Sequence, residues 1–317
     1  MYSYLDFERP ISDLEAKIIE LKKLADDGES IDTSEEIARL ETRVSEAMTD
    51  IYGKLSPWQK AQVARHPQRP HFLDYAKRLF TEFTTIAGDR NFGEDAAIQA
   101  GLARFRGRPV AVIGEEKGHD TKSRLKHNFG MPRPEGYRKA IRLMELADRF
   151  NLPVISIVDT QGAYPGVGAE ERGQAEAIAR STQMCLRIGV PMITLVIGEG
   201  MSGGAIAIAA ANRVYMLEHA IYSVISPEGA ASILWRDSAR AKEAATNMKI
   251  TAQDLKGFGI VEEIIPEPVG GAHRHADTVI DASGDQIAEG LNEFEGKSSE
   301  EIRNMRRQKF LAIGRNL

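Results

Sequence analysis

Asp159-Thr160-Gln161-Gly162-Ala163-Tyr164-Pro165-Gly166-Val167-Gly168 and Gly198-Glu199-Gly200-Met201-Ser202-Gly203-Gly204 decide how the chain is read. Each stretch follows an apolar run of strand length, Pro153 to Asp159 and Met192 to Ile197. Each opens a helical pattern, at roughly Glu170 to Ile188 and Ser202 to Ala211. Strand, glycine loop and helix in succession describe parallel βαβ units, so an α/β protein is expected. Glycine there lets backbone N–H groups approach a ligand without a Cβ in the way. The helix N-terminus adds unpaired N–H groups and the positive end of the helix dipole. Two such donors aimed at one oxygen make an oxyanion hole. Tight turns and close packing are the plainer use of the same residues.

The pattern extends outward. Upstream, Ala97 to Phe105 and Pro109 to Gly114 read as strands joined at Arg106-Gly107-Arg108, then a loop from Lys117 to Pro134 and a helix from Glu135 to Phe150. Downstream come short strands at Arg213 to Leu217 and Ile221 to Ile225. Helices follow at Pro227 to Trp235 and Ser238 to Asn247, then a late strand at Ile260 to Ile265. Ser298 to Ile313 reads as a helix whose acids precede its bases, as the dipole favours. The first sixty residues or so suggest two helices with narrow apolar stripes, Ile11, Leu14, Ile18 and Leu21, then Ile37, Leu40, Val44 and Ile51. Ser12 with Glu15 and Thr33 with Glu36 look like capping boxes, with a turn at Asp26 to Ser30 between the helices. That hairpin suits interaction or scaffolding. A basic segment, Arg65 to His71, and a helix at Leu73 to Phe83 lead into the strands. The expected division is residues 1–85, 86–296 and 297–317.

The chain has 317 residues, 42% apolar and 27% charged, with net charge −5, which is ordinary for a globular protein and unlike a general nucleic-acid binder. One cysteine, Cys185, among apolar neighbours, fits a core position in a reducing, cytoplasmic setting. MYSYLDFERP does not resemble a secretory signal, and no apolar run reaches membrane-spanning length. Without cysteine pairs or His-x-x-x-His, no metal site is expected. Gly200-Met201-Ser202-Gly203-Gly204 superficially resembles a nucleophile turn, but nothing nearby in the sequence names a histidine partner for Ser202, and no Walker sequence occurs. Gly198-x-Gly200-x-x-Gly203 satisfies the dinucleotide fingerprint formally, so a NAD-binding Rossmann oxidoreductase is a competing reading. Against it, the fingerprint falls late in the chain and the earlier glycine loop has no place in that fold. Lys117, Lys122, Arg124 and Lys126 form a basic loop, either solvated or in contact with an anion or an acidic partner.

The residues also carry a resemblance. Asn128-Phe129-Gly130-Met131-Pro132, then Pro134-Glu135-Gly136-Tyr137-Arg138-Lys139, is similar to the carboxyltransferase alpha subunits of bacterial-type acetyl-CoA carboxylases. So are Gly162 to Gln174, Gly203-Gly204-Ala205, Ser223 to Gly229, and Ile264 to Arg274. The resemblance runs from Leu5-Asp6-Phe7-Glu8 nearly to the end. It implies a crotonase-type (ClpP/crotonase-like) ββα-superhelix core with an N-terminal helical hairpin extension. It implies transfer of a carboxyl group from carboxybiotin, on a biotin carboxyl carrier protein, to acetyl-CoA, giving malonyl-CoA for fatty acid biosynthesis. By the same resemblance the N–H groups of Gly203 and Gly204 face the biotin ureido oxygen. Gly162, Ala163, Tyr164, Gly166, Gly168, Gly200, Met201 and Ser202 shape the carboxybiotin pocket. No cofactor is expected to be bound covalently. A beta subunit completes the site in an expected two-alpha, two-beta assembly and carries the zinc, and biotin carboxylase belongs to the wider complex. Met201 stands where the family loop has glycine, which matters if that position needs a positive φ or a close backbone approach; Gln161 stands where some relatives have proline. A self-contained crotonase-type hydratase or isomerase is the alternative within the fold, and a noncatalytic scaffold the alternative outside it.

Overall fold

The computed structural model of the chain describes residues 3–26 and 33–315. A 3-10 turn at Asp6–Glu8 leads into α1 (Arg9–Asp26), and α2 (Ser34–Tyr52) follows. Their stripes meet: Ile11, Ile18, Leu40 and Val44 are buried together, ringed by Leu14, Leu21, Ile37 and Ile51. The turn expected at Asp26 to Ser30 lies, beyond Asp26, outside the described residues. Neither expected capping box forms. Ser12 is inside α1, and Glu15 binds Arg274 at 2.9 Å. Thr33 is the N-cap of α2 but makes no side-chain cap bond, and Glu36 faces Arg39 instead.

After α3 (Pro57–Ala64), α4 (Phe72–Leu79) is shorter than the helix expected there, because β1 (Phe80–Thr85) takes its second half. Aromatic and threonine residues favour extended backbone, and Phe80 pairs opposite Phe105. The sheet therefore begins before residue 86. β2 (Ile98–Phe105) and β3 (Arg108–Glu115) form a hairpin whose two central residues, Arg106 and Gly107, both have positive φ. The loop expected from Lys117 to Pro134 contains α5 (Thr121–Lys126) and a 3-10 turn. Then come α6 (Pro134–Arg149), β4 (Val154–Thr160), α7 (Val167–Glu171) and α8 (Gln174–Arg187). The helix expected at Glu170 to Ile188 is broken at Gly173, whose φ is 78°. β5 (Met192–Met201), α9 (Ser202–Ala209), β6 (Arg213–Leu217), β7 (Ile221–Ser223), α10 (Pro227–Trp235) and α11 (Ala241–Asn247) follow. The chain ends through α12 (Ala252–Gly257), β8 (Glu263–Ile265), α13 (Ala276–Asn292) and α14 (Ser299–Ala312).

The strands line up β1-β2-β3-β4-β5-β6-β8, with β7 also paired to β5. β1, β2 and β3 are antiparallel neighbours; the remaining pairs are parallel. The order never reverses, so the sheet has no crevice of the kind a doubly wound fold uses to bind dinucleotides. β5 is shared: Ile193 to Val196 pair with β6, and Glu199 to Met201 pair with β7. The sheet thus splits along β5, the strand that carries the second glycine stretch. No helix among the described residues is long and apolar enough to cross a membrane.

The main core fills both sides of β3, β4 and β5. Arg306 on α14 is fully buried beneath it and donates to the carbonyls of Cys185, Ile188 and Val190 and to Asn212 Oδ1. It closes the C-terminal end of α8, where carbonyls lack helical partners. Burial pulls its guanidinium pKa down to about 10.

Candidate active site

The second glycine stretch is not a loop. β5 continues through Gly198, Glu199 and Gly200 to Met201, and α9 begins at the next residue. Between Val158 and Thr160, β4 advances from opposite Val196 to opposite Gly200, so β5 bulges at Ile197 to Glu199. Glycine suits the bulge because a Cβ at Gly198 would lie 2.5 Å from Oδ1 of Asp159. A Cβ at Gly200 would lie 2.9 Å from the Tyr222 ring. The chain's own side chains fill the space a pyrophosphate would need, so the fingerprint spacing is not a dinucleotide site.

Met201 has φ −111° and ψ 131°, ordinary strand geometry that needs no glycine. Its side chain is buried with Ala61, Ala64, Ile221, Ala245 and Ile250. Restoring the family's residue with Met201→Gly should cost about 2–5 kcal/mol in urea unfolding while leaving turnover per folded molecule unchanged. The unusual backbone falls one residue later. Ser202 has φ 55°, turning the chain from strand to helix, and its side chain is exposed. The first-turn N–H groups of α9, including those of Gly203 and Gly204, have no acceptor inside the helix.

The two glycine segments touch. A Cβ on Gly204 would sit 2.7 Å from the Gly162 carbonyl carbon and 2.8 Å from Ala163 N. Gly203 is less constrained, facing only the Ile178 side chain at 3.2 Å. Gly162 itself is at φ 127°, its N–H donating to Thr160 Oγ1 at 3.0 Å. The Tyr164 ring lies over Gly166, where a Cβ would come within 2.3 Å of it. Tyr164 N donates to Pro132 O at 2.9 Å, while Gln174 Nε2 donates to the carbonyls of both Pro132 and Tyr164. Gly168 lies on the first turn of α7, with Arg172 Nη1 3.2 Å from its missing Cβ. Gly162, Ala163, Gly200, Met201, Ser202, Gly203 and Gly204 are thereby gathered at the ends of β4 and β5, with Tyr164, Gly166 and Gly168 further along the same loop.

Behind this junction lies a buried charge network. Lys117 Nζ bridges Asp159 Oδ1 at 2.7 Å and Glu199 Oε2 at 2.8 Å. Arg65 Nε reaches Glu199 Oε1 at 2.6 Å, and its Nη1 reaches Glu228 at 2.6 Å. His71 Nδ1 lies 3.1 Å from Asp159 Oδ2. Burial opposes ionisation of Asp159 and Glu199, but Lys117 together with His71 beside Asp159 and Arg65 beside Glu199 holds both carboxyls below their usual range. Glu115, beside Asp159, is pushed well above its usual range by burial and by that neighbouring charge. A cavity of about 210 Å³ opens beside the network, lined among others by Arg65, His71, Lys117, Arg124, Gln161 and Glu199. The four cations of the basic loop are thus separated. Lys117 is largely covered and doubly paired, whereas Lys122 and Lys126 are exposed on α5 and Arg124 edges the cavity. Asp159, Glu199, Arg65 and His71 had no role in the sequence reading. Their signal was an acid ending one apolar run, another acid between glycines, and a basic segment that itself contains no acid.

Glu8, His66 and His273 are the one group of three potential metal ligands found among the described residues. The arrangement does not suit a metal. The imidazole rings of His66 and His273 stack at 3.8 Å and 20°, so their in-plane lone pairs do not converge. His66 Nδ1 accepts from Gln68 N, which leaves Nε2 to donate to Ser3 O. Burial lowers the pKa of both rings, that of His273 to about 3. A histidine held neutral in the fold but free to protonate near 6.5 when unfolded favours the unfolded chain as pH falls. Its stabilising contribution is complete above pH 6.5 and is lost between there and about 3. His273→Phe should therefore flatten the fall in urea-derived stability between pH 6.5 and 5, by up to about 1.4 kcal/mol per pH unit.

Comparison with known proteins places the whole chain in one family. Residues 4–314 match the family described as acetyl co-enzyme A carboxylase carboxyltransferase-like. The chain is 76% identical, over the whole of both chains, to the acetyl-coenzyme A carboxylase carboxyl transferase subunit alpha of Rhizobium johnstonii. It is 74% identical, again end to end, to that of Agrobacterium fabrum. Among solved structures it resembles the transcarboxylase 12S core with a TM-score of 0.58 at 20% identity, over 71% of this chain and 42% of that one. It also resembles a chain of a Pseudomonas malonate decarboxylase hetero-tetramer, with a TM-score of 0.56 at 18% identity, over 68% of this chain and 86% of that one. These likenesses show the crotonase-like carboxyltransferase fold.

Proposed function

Because the chain belongs to the acetyl-CoA carboxylase carboxyltransferase alpha-subunit family, we propose that the junction of β4, β5 and α9 is its carboxybiotin site. Gly203 and Gly204 are its oxyanion donors. The observation that carries this assignment is the contact of Gly204 with Gly162 and Ala163, which leaves room for backbone alone. N–H groups fixed in this way are already aimed when charge develops, so no reorganisation is needed during reaction.

In the reaction, the C–N bond of carboxybiotin breaks and its electron pair passes to the ureido group. Carbon dioxide is released. The ureido anion takes a methyl proton from acetyl-CoA, and the resulting enolate carbon attacks the released carbon dioxide to form the new C–C bond of malonyl-CoA. Negative charge appears first on the ureido oxygen, where the N–H groups of α9 stabilise it, aided by the positive end of the helix dipole. No side-chain base is required of this chain. The thioester enolate needs a second oxyanion hole, which we assign to a beta subunit in a two-alpha, two-beta assembly; the zinc belongs to that subunit too. The biotin carboxyl carrier protein delivers the carboxyl group, biotin carboxylase recharges it, and the setting is cytoplasmic. Lys122, Arg124 and Lys126 line the approach as anion or partner contacts.

Biotin-dependent decarboxylation of malonyl-CoA tests this reading. The chain should be inactive alone and active once mixed with the beta subunit. Full activity of the chain alone would instead mark a self-contained crotonase-type enzyme.

A further inference from the structure

Among the described residues, Lys117 is the one cation bonded to both strands that meet at the proposed site. Asp159 lies at the end of β4, just before the turn to Gly162. Glu199 lies in the bulge of β5, just before α9. Arg65 holds only the outer oxygen of Glu199, and His71 only the outer oxygen of Asp159. The two strands are also tied where Glu199 N donates to Asp159 Oδ1 at 3.0 Å, which brings the acidic side chains together. Two buried carboxylates this close repel unless a cation lies between them.

A second path leads from Lys117 to the glycines. Gly130, at φ 73°, packs against the Lys117 stem; a Cβ there would meet Lys117 Cγ at 2.6 Å and Asp159 O at 3.1 Å. The carbonyl of Gly130 accepts from Thr160 Oγ1 at 2.5 Å, and the same hydroxyl accepts from Gly162 N. A single hydroxyl therefore connects the segment seated on Lys117 to the loop that touches Gly204.

We propose that Lys117 is a positioning residue for carboxyl transfer. By bridging Asp159 and Glu199 it sets how closely Gly162 and Ala163 approach Gly204, and so the aim of the Gly203 and Gly204 N–H groups. It does so without touching the substrate. This inference rests on the carboxybiotin reading above and gives Lys117 a role other than anion contact. A misaimed donor weakens stabilisation of charge that exists only in the transition state, so the effect belongs in kcat.

The test is biotin-dependent malonyl-CoA decarboxylation by the complete alpha–beta complex, comparing wild type, Lys117→Met and the isosteric Glu199→Gln. Lys117→Met should lower kcat about tenfold or more, with KM for malonyl-CoA within about twofold and the complex intact by size-exclusion chromatography. Glu199→Gln keeps the shape and should show a smaller loss of the same kind. Lys117→Met should also regain activity as pH is lowered from 8 to 6, because a proton shared between Asp159 and Glu199 can replace the ammonium. His71, Arg65, Glu115 and Glu228 also face this pair and remain in place in the variant, and wild type should show no such rise. An unchanged kcat, a loss confined to KM, or a loss that only tracks dissociation of the complex would overturn the proposal. If Lys117→Met does not fold, Glu199→Gln decides: wild-type kcat in that variant overturns it. Inactive wild-type complex would sink the carboxybiotin reading and the positioning role with it, whereas active wild type beside fully active variants sinks the positioning role alone.

Discussion

Gly204→Val should abolish most carboxyl transfer while leaving the chain folded and able to join its beta subunit. The added Cβ meets main-chain atoms, the Gly162 carbonyl carbon at 2.7 Å and Ala163 N at 2.8 Å, rather than a side chain that can swing away. Either the Gly162 loop retreats or the start of α9 shifts, and both changes move the N–H groups. Loss of one oxyanion donor costs about 10²–10³ in kcat, and displacement of two at once should reach the upper part of that range. Overpacking should lower stability by about 1–3 kcal/mol. Gly203→Ala is the contrasting case. Its Cβ meets no main-chain atom and only the Ile178 side chain, at 3.2 Å, which needs to give by a few tenths of an ångström, so the loss of kcat should be far smaller. Steady-state kcat of the two variants in the assembled complex, beside their urea unfolding curves, separates a misaimed hole from a damaged fold.

The second large effect is on stability. Arg69 and Glu267 form a bidentate pair, at 2.9 Å and 2.6 Å, with almost no exposure of either side chain. Arg69 also donates to the Ile197 carbonyl at the start of the β5 bulge, and Glu267 also accepts from His219 N and Ala272 N. Arg69→Met would leave a buried carboxylate with only those two N–H groups. Removing one member of a buried ion pair costs about 3–5 kcal/mol, which urea unfolding at neutral pH would read directly. The cost should shrink with acid. Burial opposes ionisation of Glu267, but Arg69 holds its pKa down to about 2. In wild type the contribution of that carboxylate is therefore present above its ordinary range near 4.3 and is lost as pH falls toward 2. Without Arg69 the carboxyl protonates at higher pH, so the gap between the two proteins should narrow below about pH 5.

The sequence revealed β4 and the first half of β5 because their side chains are mostly apolar, interrupted before Asp159 only by Ser156 and Thr194, whose hydroxyls bond to each other. It ended β5 at Ile197 because Gly198, Glu199 and Gly200 carry no strand signal of their own. They are extended because β7 pairs with them and the Asp159 carboxylate occupies the space beside Gly198. α13 left no clear trace. Its apolar positions, Val279, Ile280, Ile287 and Leu291, are separated by Ser283-Gly284 and Gly290, which weaken local helix propensity. Those glycines serve packing instead: a Cβ at Gly284 would meet Leu79 at 2.8 Å, and one at Gly290 the Tyr215 hydroxyl at 2.2 Å. The basic segment at Arg65 to His71 carried no assigned role. In the fold Arg65, Arg69 and His71 point inward to Glu199, Glu267 and Asp159, acids far away in sequence. Gly203 and Gly204 were legible as candidate donors from the strand–glycine–helix pattern. The contact of Gly204 with Gly162 was not, since it depends on the crossover through α7 and α8 that brings β4 and β5 side by side.

The most direct measurement is a structure of the alpha–beta complex with biotin bound. The ureido oxygen should lie about 2.7–3.1 Å from the backbone nitrogens of Gly203 and Gly204, with Gly162 and Ala163 closing the pocket behind it. A thioester carbonyl of a coenzyme A ester in that position, with the ureido group held elsewhere, would contradict the assignment and give this chain the other half of the reaction.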